Sequence, residues 1–244
     1  MSLQFPERLL TLLARRRRAK KFGLSFTRAR AFQLPLHLTI GQRELAVFLP
    51  AESGVLTAVI DILLDDCYGL SSITAASTVL DIGANVGLFS LAARHAFPHA
   101  TIHAYEPNSA LESYLAAQAA AAGFKYFLEA VGPRAGRVQL DVHEDSVLTR
   151  SREDPQGPVP QVALQTAVDR LGGSVALAKL DCEGAEWDLL RESSAWQCID
   201  RVAMEYHLWS DRTHDEARLL VSALGYRVTS QQRLVESGVL LARR

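Results

Sequence analysis

Two short acidic stretches hold most of the chemistry that this sequence offers. In the first, Asp81-Ile82-Gly83-Ala84-Asn85-Val86-Gly87, a carboxylate closes an apolar run and small or turn-forming residues follow before the spacing becomes helical. In the second, Asp181-Cys182-Glu183-Gly184-Ala185-Glu186 directly follows the apolar run Val175 to Leu180. Glycines in a strand-to-helix turn let backbone approach a ligand, and an acid there suits a ligand with positive charge. A nicotinamide-binding turn would instead read G-x-G-x-x-G, with its acid about 20 residues later. The second stretch, with His207 further along, offers groups able to take a proton from a hydroxyl.

The elements around these stretches read as alternating strands and helices. Val79 to Asp81 is a strand and Val86 to His95 a helix; Thr101 to Tyr105 is a strand ending in Glu106-Pro107-Asn108. An Ala-rich helix, Ala110 to Ala122, is stopped by Gly123. Lys125 to Val131 is the next strand, Gly136 to Val142 an edge strand, and the polar stretch Glu144 to Pro160 a mobile loop. Val162 to Leu164 is a short strand and Thr166 to Leu171 a short helix; Val175 to Leu180 is the fourth core strand, and the helix WDLLRES follows the second acidic stretch. Arg201 to Tyr206, a helix from Asp215 to Leu224, and an antiparallel pair, Tyr226 to Ser230 with Val239 to Ala242, complete the chain. This order predicts an α/β fold, a doubly wound, mostly parallel Rossmann-like sheet with an antiparallel C-terminal edge hairpin. Residues 1–72, an amphipathic basic helix, a β-hairpin and a helix, form a small cap on a domain spanning 73–244.

In such a sheet the carboxyl ends of the strands gather one set of residues, and the set suits S-adenosylmethionine. Asp81 faces its amino group, and Gly83, Ala84, Asn85 and Gly87 form the turn beneath it. Glu106, flanked by Pro107 and Asn108, accepts the two ribose hydroxyls; Ala130 and Val131 flank the adenine. Asp181 ends the fourth strand beside the methyl group and is the first choice of base, His207 the second, with Glu183 in the open loop between them. Lys179 shares a face with Asp181 and needs an acidic partner, expected in Glu183 or Glu186. Asp181 and Glu183 with Glu205 or His207 also form an oxygen-rich set that Mg²⁺ would accept, although metal-free base catalysis is the preferred reading.

VLDIGANVG, the AYEPN at Ala104 to Asn108, the EAVG at Glu129 to Gly132, the TAVDRL at Thr166 to Leu171 and, above all, KLDCEGAEWDLL at Lys179 to Leu190 resemble the FkbM family of methyltransferases. The resemblance implies a class I methyltransferase fold, S-adenosylmethionine as donor, and O-methylation of sugars or polyketide-type natural products. Val168-Asp169 departs from the family's usual Leu-Asp, and the basic N-terminal arm lies outside its pattern.

Composition narrows the classes. Hydrophobic residues make up 48% and charged residues 22% of the 244, and no apolar run reaches the roughly 20 residues of a membrane span. Three cysteines, Cys67, Cys182 and Cys198, share no metal-ligand spacing and leave an odd thiol, which points to a reducing cytoplasm. The net charge of −1 conceals an asymmetry: residues 1–30 carry 9 basic residues against one acid, leaving 17 basic and 26 acidic in the remainder. The expected partner is a small-molecule hydroxyl acceptor. A basic arm that holds nucleic acid would make the chain an RNA methyltransferase, and a cofactor-binding but non-catalytic protein is the third possibility. No Asn or Asp followed by Pro-Pro-aromatic, the pattern for base-amino methylation, follows the fourth strand.

Overall fold

The computed structural model describes residues 5–191 and 194–244. Glu192 and Ser193, the expected end of the WDLLRES helix, lie outside the described residues. The N-terminal portion comprises α1 (Phe5–Lys21), a hairpin of β1 (His37–Ile40) and β2 (Arg43–Ala46) turning at Gly41, and α2 (Ser53–Ala58), which continues as a π-helical stretch over Val59–Leu64. The core then alternates: β3 (Thr78–Ile82), α3 (Leu88–Ala96), β4 (Thr101–Tyr105), α4 (Glu112–Ala122) and β5 (Lys125–Phe127). Gly123 ends α4 in the left-handed conformation that a side chain would resist.

A second, smaller sheet interrupts the alternation. It is made of β6 (Ala130–Gly132), β7 (Gly136–Asp141), β8 (Arg150–Glu153) and β9 (Val159–Ala163), in the order β6-β9-β7-β8. The chain then resumes with α5 (Leu164–Arg170), β10 (Leu177–Leu180), α6 (Glu186–Arg191), β11 (Arg201–His207), α7 (His214–Ala223), β12 (Arg227–Arg233) and β13 (Ser237–Arg243).

The main sheet runs β12-β13-β11-β10-β3-β4-β5, with only β13 antiparallel to its neighbours. Its central strands are apolar on both faces because both faces are covered. Val79, Ile102, Ala104 and Leu177 pack with Phe22, Val59, Leu63, Phe89 and Leu115 on one side. Leu80, Ala178, Leu180 and Met204 pack with Leu164, Trp187, Leu189 and Val221 on the other. The strand order reverses between β3 and β10, which opens a crevice at their carboxyl ends, where a doubly wound sheet binds ligands. These features are those of the class I methyltransferase fold expected above.

Three elements differ from expectation. KYFLEAV is not one strand: it breaks at Leu128-Glu129, and its halves enter different sheets. Alternating residues satisfy either sheet locally, so nothing in the run marks the break. The stretch Glu144 to Pro160 is not a mobile loop: β8 and the start of β9 lie inside it, and Asp145 accepts hydrogen bonds from Ser53 Oγ (2.9 Å) and Gly54 N (2.8 Å). The run Gly136 to Val142 is not an edge strand: β7 lies between β9 and β8 in the smaller sheet, whereas the terminal hairpin β12–β13 does form the antiparallel edge of the main one.

Candidate active site

A cleft partly open to solvent lies at the carboxyl ends of β3, β4 and β10. Its floor is Ile82, Gly83 and Asn85, its far wall Glu106, Pro107, Ala130 and Val131, and its near wall Asp181 and Glu183. The segment from Ser146 to Ser151 closes the top. Ser146 is tied down twice, its backbone N–H donating to Glu52 (2.7 Å) and its hydroxyl accepting from Asn85 Nδ2 (3.1 Å). Part of the stretch read as a mobile loop is therefore an ordered wall of the cleft.

Of the residues expected at a cofactor, Gly83, Asn85, Glu106, Pro107, Ala130, Val131 and Asp181 line this cleft. Asp81, Ala84, Gly87 and Asn108 do not, and each has another task. Asp81 is fully buried beneath the turn, where it accepts a hydrogen bond from Ser90 Oγ (2.7 Å) and pairs with Lys179 Nζ at 3.3 Å. Ala84 is buried under the turn, its N–H donating to Tyr105 O. Asn108 turns its side chain away to accept from Ala110 N. Gly87, with φ of 85°, is glycine because a Cβ would press on Leu115 and Phe124. Gly83 has a φ of 73°, and a Cβ there would fall 1.7 Å from the Asp181 carbonyl, so the neighbouring strand end rather than a ligand demands glycine.

Glu106 is the best-placed ribose acceptor. Each carboxylate oxygen takes one backbone N–H, Oε2 from Asn85 and Oε1 from Asn108, both at 2.8 Å. A carboxylate oxygen accepts more than one hydrogen bond, so both retain capacity for a vicinal pair of hydroxyls. Burial pushes its pKa up to about 7, against those two hydrogen bonds, which favour the charged form. Tyr105 and the apolar Ala130 and Val131 supply a surface for a flat ring nearby. The acidic near wall complements positive charge. The diol acceptor, the apolar surface beside it and the Asp181 carboxylate on the near wall together fit S-adenosylmethionine.

The second acidic stretch builds a charge network around Lys179. Strand alternation places Lys179, Asp181 and, across the β3 register, Asp81 on one face. Lys179 is 3% exposed and pairs with Asp81 at 3.3 Å and Asp181 at 3.7 Å, while also donating to the Gly83 carbonyl. Burial opposes its charge, and the two aspartates more than offset that, holding its pKa above the ordinary value. This corrects the expectation of Glu183 or Glu186 as partner. Glu186 has a different role: buried at the start of α6, it accepts from Gly184 N (2.8 Å), His207 N (2.9 Å) and His207 Nδ1 (3.0 Å).

Asp181, Glu183 and His207 are brought together, each offering an atom within 4.8 Å of the others. His207 Nε2 lies 3.5 Å from Glu183. Burial alone would lower the pKa of His207, yet its hydrogen bond to Glu186 and the charges of Glu186, Glu183 and Asp181 raise it to about 9. Glu183 stands on backbone with φ of 51°, and burial is the main cause of its rise to about 8. Glu205, raised by burial to about 7, is behind them.

A second depression adjoins the cleft and shares Ser151, Glu183 and Ala185 with it. Its other lining includes Arg150, Arg152, Asp188 and Trp209. Trp209 packs beside the His207 ring at 5.0 Å between centroids and holds the Arg150 guanidinium 3.4 Å above its own ring. A Cβ on Gly184 would strike Trp209, which explains that glycine in the acidic loop. Sequence reasoning missed Tyr68, which donates to Asp181 Oδ2 at 3.0 Å from 113 positions away. No local pattern marks it. Glu186 as the support of His207 was signalled only by its place in the acidic stretch.

The methyltransferase FkbM domain model matches residues 81–228, more than half of the chain. Methyltransferase sdnD of Sordaria araneosa is 26% identical over 186 residues, with 59% of this chain and 72% of that protein covered. Methyltransferase 1 of Beauveria bassiana (strain ARSEF 2860) is 28% identical over 176 residues, with 59% and 70% covered. Among solved structures, magnesium protoporphyrin IX methyltransferase of Synechocystis PCC 6803 is similar at 12% identity and a TM-score of 0.49, over 78% of this chain and 81% of that one.

Proposed function

The chain belongs to the FkbM family of methyltransferases, and from that premise we propose that it methylates a hydroxyl of a saccharide or secondary metabolite, with S-adenosylmethionine as donor. When bound, the donor supplies an electrophilic methyl group on a sulfonium that leaves readily. Glu106 would hold the ribose diol, Ala130 and Val131 the adenine, and Asp181 the positively charged end. Asp81 is withdrawn from that set because its carboxylate is committed to Lys179 and Ser90.

One observation carries the choice of a hydroxyl acceptor and of its base. Glu183 is the ionisable side chain common to both depressions, so it stands where donor and acceptor would meet. A hydroxyl must lose its proton as the C–O bond forms and the C–S bond breaks. A carboxylate held near pKa 8 by burial is a stronger base than an ordinary one, well matched to that transfer. His207 then steadies Glu183 rather than taking the proton, since its imidazole is already protonated near neutrality. Glu186 and Trp209 orient His207, and Lys179 with Tyr68 orients Asp181.

The donor assignment is tested by calorimetric titration with S-adenosylhomocysteine. Saturable binding is expected, weakened about tenfold or more in Glu106→Gln, as loss of a charged hydrogen-bond acceptor implies. Absence of heat at high ligand would refute it. The acceptor class is tested by turnover of a panel of hydroxylated saccharides against amine-bearing analogues. Methylation confined to amines would defeat the O-methylation reading.

A further inference from the structure

Among its described side chains, Leu9 to Lys21, helix α1 is bound to the body by one side. Ala19 is fully buried, Leu12 packs against the core, and Arg15 and Arg18 pair with Asp65 (2.5 Å) and Asp66 (3.1 Å) beside the π-helical stretch. At 3.6 residues per turn the opposite face carries Leu9, Leu10 and Leu13 in its first half and Arg17, Lys20 and Lys21 in its second. The leucines are 48%, 67% and 51% exposed, and the three cations are exposed as well. Arg16 at the margin leans over the carbonyls of Phe26 and Thr27.

We propose that this face of α1 docks the protein on an anionic lipid surface, with Leu9, Leu10 and Leu13 entering the headgroup–acyl boundary and Arg17, Lys20 and Lys21 resting among the phosphates. The pairing of exposed leucines with cations on one helix face is what an interfacial helix requires, since affinity there sums buried apolar area and attraction to anionic headgroups. The long basic side chains lay their methylenes along the apolar zone while keeping their charges in water. Charge distribution sets the orientation. Residues 1–30 carry 9 basic residues and one acid, and the remainder 17 basic and 26 acidic, so an anionic surface attracts the arm and repels the body. A nucleic-acid backbone fits less well. It gives the leucines no apolar partner, and the helix from Leu9 to Lys21 has no aromatic residue on which a base could stack.

The test is co-sedimentation of the full chain with vesicles of phosphatidylcholine containing about a third phosphatidylglycerol, against vesicles of phosphatidylcholine alone. Binding is expected only to the anionic vesicles and declines between about 0.05 and 0.5 M salt as the charges are screened. Each basic residue near such a surface is worth about 1 kcal/mol, or about fivefold. Arg17→Gln/Lys20→Gln/Lys21→Gln should therefore weaken partition about a hundredfold. Leu9→Ser/Leu10→Ser/Leu13→Ser should likewise weaken partition onto the anionic vesicles at low salt, with circular dichroism unchanged because all six side chains lie at the surface. Equal binding to both vesicles, or none, overturns the proposal. So does tight binding of double-stranded RNA that the leucine variant leaves intact, or a wild-type dimer that the leucine variant converts to monomer without lipid.

Discussion

Asp81, on β3, and Asp181, just past the end of the neighbouring parallel strand β10, reach for the same ammonium, Lys179 Nζ, at 3.3 and 3.7 Å. Their surroundings nevertheless differ. Asp81 sits in register with Lys179 inside the sheet and is fully buried, whereas Asp181 lies one step past the end of β10 and keeps 27% of its side chain exposed toward the cleft. A shift of two positions along one face separates a structural counter-ion from a group that meets ligand. A buried lysine with two acids can be neutralised by the inner one, leaving the outer available to positive charge in the cleft.

The largest effect should come from Asp81→Ala. It strands a buried ammonium, and removal of one partner from a buried pair costs about 3–5 kcal/mol. Denaturant unfolding should show that loss, with Asp81→Leu/Lys179→Met recovering much of it; an Asp81→Ala protein as stable as wild type would erase the distinction between the two aspartates. Glu183→Gln should sharpen the functional side. Loss of a general base lowers turnover about 10²–10⁴-fold, while calorimetric affinity for S-adenosylhomocysteine stays near wild type. A fall in affinity equal to the fall in rate would make Glu183 a donor contact instead.

pH offers a third separation, because stability and rate should move in opposite directions. The folded protein holds protons on Glu183 to about 8 and on Glu106 and Glu205 to about 7, above the ordinary value of 4.5. Between those limits the folded state binds more protons than the unfolded one, so stability falls as pH rises. His207 has the same sign: its stabilisation is complete below 6.5 and is lost as pH rises through about 9. The melting temperature should therefore decline from about pH 5 to pH 9, while kcat/KM climbs as Glu183 ionises near 8. A rate limb that persists in Glu183→Gln would assign the base elsewhere. The smallest effect is expected from Tyr68→Phe, which removes one hydrogen bond to Asp181, worth about 1 kcal/mol. Turnover should drop severalfold with the fold intact; no change in kinetics would separate Tyr68 from the site.

Much of this arrangement was legible beforehand, and the failures share a cause. The turn at Gly83, the strand end at Glu106 and the acidic stretch from Asp181 to Glu186 were readable because turn chemistry and strand periodicity are local. Asp81 was misread because its type and position suit a ligand as well as a lysine, and only the β3–β10 register supplies the lysine. The break in KYFLEAV was invisible because the same alternation serves two sheets. Residues 144–160 looked like a loop because their polarity gives no hint of the anchors at Glu52, Ser53 and Gly54.

By itself, then, the sequence determined the doubly wound order of elements, the family of the central domain and the list of carboxylates from which any site must be drawn. Those follow from spacing within a few dozen residues. The tertiary structure alone decided which carboxylate neutralises Lys179, which one both depressions share, and that Tyr68 belongs to the site. Such assignments depend on contacts between residues about a hundred positions apart, and their distances are set by strand pairing and layer packing rather than by any local pattern.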